Sequence, residues 1–172
     1  MTQQEAASAA SDKQVVLQKI YVKDASLEVP NAPEIFTQEW APKLDVQLNT
    51  AVQDLGPDTH QVILTVTLSA RLGERTAYHA EVQQSGVFKL SGFDSDAERR
   101  AVLGAYCPSV LFPFAREAAA DLIQRGGFPA FLLQPVNFDA LYQQHLAQTR
   151  AASQKTTQTA PDAGAVVVGT KH

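Results

Sequence analysis

Few side chains in this sequence could carry out chemistry, and they are scattered. The four histidines, His60, His79, His145 and His172, have no metal-ligand spacing. The chain has no HExxH or CxxC motif, no glycine-rich phosphate loop and no nucleophile elbow. The single cysteine, Cys107, precedes Pro108 in apolar company. With no cationic neighbour to lower its pKa, it reads as a structural thiol rather than a nucleophile. His145 lies beside the apolar face of a helix and reads as a boundary residue. These patterns argue against an enzyme and imply neither a metal nor a cofactor.

Two other sets suit binding. Asp24 and Glu28 are four apart in a strand pattern, so a regular strand turns both to one face, and Glu81 of another strand can join them. Such carboxylates are either a solvated sheet face or a docking site for a basic partner, since paired charges steer association. The aromatic set is Phe36, Trp40, Tyr106, Phe112, Phe114, Phe128, Phe131 and Phe138. Several must be core. The others could line an apolar groove between a long loop and the last helix, and such a groove accepts extended polypeptide with little sequence preference because burial is non-directional.

The elements that hold these residues divide into a β half and an α half. Val15–Glu28 supplies a first strand. Leu44, Val46 and Leu48 alternate with polar residues as a second, and Val62, Leu64, Val66, Leu68, Ala70 and Leu72 as a third. Thr76–Phe88 is a fourth. Turn chemistry at Leu55–Asp58 and at Gly73-Glu74 joins the last three, so the expectation is a four-stranded antiparallel meander. Val29–Pro42 carries three prolines and should be a long, rigid excursion outside the sheet. Ser95 and Glu98 have capping-box spacing for a short helix reaching about Ala105. Pro108 should end it, and Pro113 should lie in the first turn of a second helix, Leu111–Arg125, stopped by Gly126-Gly127. Asn137 should cap a last helix, Phe138–Gln148. The middle helix has one apolar stripe of Leu111, Phe114, Ala115, Ala118 and Leu122 and a second of Phe112, Ala119 and Ile123. It is therefore covered on two sides, by the sheet and by either more of the chain or another subunit.

Composition sets outer limits. The net charge of −4 argues against nucleic acid, which requires a basic face. One cysteine allows no intrachain disulfide and suits a reducing compartment. The first residues have neither the basic start nor the apolar run of a signal peptide. No apolar run of about 18 residues is present to span a membrane. Residues 1–13 and 151–172 are rich in Ala, Ser, Thr and Gln and are expected to be disordered tails around one domain, residues 14–150.

Four stretches resemble the SecB protein-export chaperone family: Val29–Pro33, Glu81–Phe88, Leu103–Glu117 and Pro135–Tyr142. The likeness covers about 14–150. It implies an α+β fold, with a four-stranded antiparallel sheet and C-terminal helices packed on one face. It also implies a cytoplasmic homotetramer, a dimer of dimers with helices sandwiched between two sheets, placing Ala80, Val82, Phe112, Ala115, Ala119 and Ile123 at the subunit interface. Unfolded export precursors would lie in a groove formed by the long loop and last helix, lined by Phe36, Trp40, Phe138, Leu141 and Tyr142. Clients would be held without ATP and passed to SecA, the export ATPase, whose basic, zinc-bearing tail would dock on Asp24, Glu28 and Glu81. His79 shares a face with Glu81 and departs from the family pattern. Its protonation would reduce the negative potential there. The resemblance also admits members that guard an antitoxin instead of export precursors. No nucleic acid or membrane insertion is implied.

Overall fold

The computed structural model describes residues 12–157. The remaining residues of the two expected tails, 1–11 and 158–172, lie outside the described residues. Strands β1 (Gln14–Glu28), β2 (Lys43–Asp54), β3 (Thr59–Leu72) and β4 (Arg75–Ser91) form one sheet, followed by helices α1 (Asp96–Ala101), α2 (Cys107–Arg125) and α3 (Phe138–Thr157). α3 extends past the expected end at Gln148 into the stretch assigned to the C-terminal tail.

The strand order is β1-β4-β3-β2, antiparallel throughout, which corrects the meander. Only β2, β3 and β4 follow one another through short turns. β1 lies beside β4 at the far edge, so the chain must cross the width of the sheet before β2 starts. The proline-rich segment 29–42 makes that crossing. Its prolines cannot join a ladder, and it carries a single 3-10 turn, Glu34–Thr37, whose Ile35 is buried. The Asn31 side-chain amide donates to the Thr76 carbonyl at 2.9 Å and ties the crossing to the start of β4.

Alternation then sorts the two faces. In β3, Val62, Leu64, Val66, Leu68 and Ala70 are fully buried. In β4, Tyr78, Ala80, Val82, Phe88 and Leu90 are buried with them, and together they face α2. Each large side chain removed from water contributes about 1.5–3 kcal/mol. The β3–β4 turn places Gly73 at φ +58°, where a side chain would be strained.

α1 and α2 are not separated at Pro108, as the sequence reading expects. Residues Val102–Tyr106 form a π-helical segment that runs straight into α2. The wider turn pairs the Cys107 N–H with the Val102 carbonyl, so Pro108 falls in the first turn of α2, where a missing N–H costs little. Pro113 lies inside α2. Ser95 takes the N-cap position of α1 without a side-chain bond, and Glu98 reaches away to Lys13 at 2.8 Å. Asn137 does cap α3, its Oδ1 accepting from the Ala140 N–H at 3.0 Å.

A polar latch joins α1 to the β2–β3 turn. Arg99 donates to the Pro57 carbonyl at 2.8 Å, lies 3.4 Å from Asp58 Oδ1, and meets Nε2 of buried His60 at 3.2 Å. His60 Nδ1 is 2.7 Å from Asp54 Oδ1. A proton on Nδ1 satisfies both neighbours, because Nε2 then accepts from Arg99. Arg99→Ala leaves that acceptor unpaired, at an expected cost of about 1–2 kcal/mol. The melting temperature should fall by a few degrees, and an unchanged value would mean that the latch adds nothing to stability.

Candidate functional site

The face of the sheet turned away from the helices brings the acidic set together. Register places Glu28 opposite His79 and Ser26 opposite Glu81, with Asp24 opposite Gln83 one row further. Residues paired across an antiparallel sheet point the same way, so all four predicted docking residues share one face. The bulge between Val22 and Asp24 matters here: without the extra residue Lys23, Asp24 would be turned elsewhere relative to the first half of β1. Glu81 accepts from Thr67 Oγ1 at 3.4 Å and from Gln83 Nε2 at 3.3 Å, and His79 Nδ1 is 2.8 Å from Ser69 Oγ. Among the described residues, Asp24, Glu28 and Glu81 have no ion-pair partner within the chain, so their charge is available to something outside it.

On the helix side, the five expected groove residues fall in two places. Phe36 and Trp40 join Phe128 and Tyr78. Phe36 and Phe128 centroids lie 5.1 Å apart, Trp40 and Phe128 5.3 Å, and Trp40 stacks on Tyr78 at 6.3 Å. Phe36 is 48% exposed and Trp40 36%, so the cluster has a buried floor and an open top. Burial also raises the Tyr78 hydroxyl pKa above its ordinary value by removing the charged form from water.

Phe138, Leu141 and Tyr142 instead line a cavity of about 720 Å³ between β2, the π segment and α3. Leu48, Val52, Leu103 and Leu146 complete its apolar lining, and Asn49, Thr50, Asp54, Arg100 and His145 are among the polar residues that line it. Neither Phe36 nor Trp40 is among its lining residues. Within one chain the expected groove residues therefore fall in an aromatic cluster at the crossing and an apolar cavity under α3. The stretch from Phe128 to Asn137 links them. It buries Phe128 and Leu133 and leaves Leu132 exposed. Phe138 is buried edge-on against Phe112 at 5.5 Å and anchors the start of α3.

The six residues assigned to a subunit interface are all buried within one chain. Ala80 and Val82 of β4 pack under Ala115, Ala119 and Ile123 of α2, with Phe112 beside them. They form the contact between helix and sheet and offer no surface to a second copy. The stripe at four-residue spacing from Cys107 to Ile123 takes the inner side of α2. The apolar surface left outside is Tyr106 at 52% exposure and Phe114 at 46%. Cys107 is fully buried, and loss of solvation pushes its thiol up to about 12, so at neutral pH it is a packing group.

Sequence reasoning named Phe128 only among the aromatic set, and missed Tyr78 of the cluster and the whole β2 wall of the cavity. Alternation marks Leu48 as inward-facing, but what covers it depends on contacts distant in sequence. Gly104 was also missed. A Cβ there would lie 2.6 Å from the Tyr142 ring, so only glycine admits the ring so closely.

Comparison with known proteins adds an independent line. The profile of the family described as preprotein translocase subunit SecB matches residues 8–149. A protein-export protein SecB of Alkalilimnicola ehrlichii is 52% identical over 157 residues, covering 91% of this chain and 82% of that protein. That of Azotobacter vinelandii is 49% identical over 158 residues, covering 90% and 96%. Among solved structures, a SecB-like chaperone of Mycobacterium tuberculosis, in complex with an antitoxin peptide, aligns with a TM-score of 0.60 and 20% identity, covering 71% of this chain and 90% of that one. At that identity the likeness concerns the fold.

Proposed function

Because the chain belongs to the SecB family of protein-export chaperones, we propose that it holds unfolded precursors in the cytoplasm without ATP and delivers them to SecA. The apolar cavity under α3 carries this reading. It is large enough to take several side chains, it is open, and its walls are mostly hydrocarbon. A folded client has already buried the residues such a site would accept, so selectivity for the unfolded state follows from the hydrophobic effect. Each large client side chain placed there contributes about 1.5–3 kcal/mol, less the ordering of the client. High affinity therefore needs several sites along one wrapped chain, where each contact raises the local concentration for the next.

The exposed aromatic cluster at the crossing is a second client subsite in this reading. A tetramer would multiply both, and the exposed outer side of α2 is the surface that suits its assembly. No described helix is long and apolar enough to cross a membrane. The acidic face of the sheet lies opposite the client surfaces, so SecA can dock while a client is still bound.

Trp40 is the only tryptophan in the chain, which makes it a direct reporter. Titration with a tryptophan-free unfolded precursor should shift its emission to the blue as water leaves the indole, and the folded form of that precursor should not. An unshifted spectrum at saturating unfolded client would remove the loop cluster from the client surface.

A further inference from the structure

We infer that His79 makes docking at the acidic face sensitive to mild acid, a charged imidazole weakening the hold on a basic partner. This rests on the docking reading above. Four strands cross in one row at this point: Glu28 of β1, His79 of β4, Ser69 of β3 and Asp45 of β2 stand in register. Glu81 occupies the next row on the same face. His79 is half-buried and lines a polar cavity of about 790 Å³ with Glu28, Lys43, Asp45, Ser69, Arg71 and Glu74. Arg71 is turned to Glu74, its Nη2 donating to that residue's carbonyl at 3.3 Å and lying 3.9 Å from its carboxylate. The charged groups that share this face or cavity with the imidazole are therefore the carboxylates of Glu28, Asp45 and Glu81 and the cations Lys43 and Arg71, the latter beside Glu74.

The hydrogen bond between His79 and Ser69 explains how charge can change here without a change of shape. Nδ1 lies 2.8 Å from Ser69 Oγ. A hydroxyl can donate to a bare ring nitrogen or accept from a protonated one, so either charge state keeps the ring in place. Protonation then acts purely through charge, placing a cation among the carboxylates that would attract a basic tail. Histidine is the side chain that gains charge on mild acidification, while carboxylates stay ionised. The effect is a moderate one, because the site is open to solvent and screened by salt.

The test is SecA binding to the full chain at low ionic strength, at about pH 8 and about pH 6, for the wild type, His79→Gln and His79→Leu, with melting temperatures recorded alongside. The wild type should bind about three- to tenfold more weakly at the lower pH, and both variants, whatever their affinity at the higher pH, should lose that difference. An equal pH dependence in the variants would place the titrating group elsewhere and overturn the inference, as would a flat wild-type response. Absence of binding at the higher pH would instead overturn the docking reading itself, and the inference with it.

Discussion

Glu81→Lys should weaken SecA docking by about 30- to 100-fold while client holding stays as it was. Glu81 is on β4, an interior strand of the sheet, where it is held between Thr67 and Gln83 and flanked by Asp24 and Glu28 on the edge strand. The strand cannot move aside to relieve a wrong charge, so a reversal changes the local sum by two units and sets a cation against the partner's own. The side chain lies on the face without helices, so no core contact is lost and the melting temperature should hardly change. SecA affinity and suppression of client aggregation, measured on the same preparation, separate the two surfaces. Loss of both together would mean that the faces are coupled or the fold is damaged. Loss of neither would remove Glu81 from docking.

Gly104→Val should reduce client affinity at least tenfold without unfolding the sheet. An added Cβ would lie 2.6 Å from two ring carbons of Tyr142, closer than carbon atoms approach without displacement. α3 faces the body of the protein through Phe138, Tyr142 and Leu146, spaced one helical turn apart, so displacing the middle one tilts the helix and spoils the cavity wall. Tyr142→Ala removes the obstacle. If the valine acts through the ring, the double variant should be no worse than Tyr142→Ala alone, a coupling that a double-mutant cycle measures. If Gly104→Val costs as much without Tyr142 as with it, its effect lies in the helix backbone and the account of the cavity is wrong.

Much of this arrangement is legible in the residues. Period-two alternation from Val62 to Leu72 assigns β3 and its buried face correctly, and Asn137 marks the start of α3. Parity within strands pairs Asp24 with Glu28 and His79 with Glu81 whatever the strand order, while the register between β1 and β4 brings the two pairs to one face. The order itself was not legible. Turn residues reveal that β2, β3 and β4 are neighbours, but nothing local says that the segment 29–42 crosses the sheet to leave β1 beside β4. Pro108 misled for a related reason. Proline is read as a break because it lacks an N–H, and a π segment just before it removes the need for one. The residues assigned to a subunit interface failed differently. Hydrophobic periodicity shows that a side of α2 is covered and does not say by which sheet, and Ala115, Ala119 and Ile123 turned out to be covered by their own. The client surface was half legible. The aromatic residues stand out by type, while their split between the crossing and α3 depends on packing that no pattern encodes.

The central claim, passive holding of unfolded precursors, is tested most directly by diluting a denatured, slow-folding export precursor into buffer with and without this protein, in the absence of nucleotide. The account predicts that refolding and aggregation are both arrested at near-stoichiometric chaperone, and that the arrested client can still be handed to SecA. Refolding at an unaltered rate over a wide range of chaperone concentrations would contradict it, leaving a shared fold without the shared function.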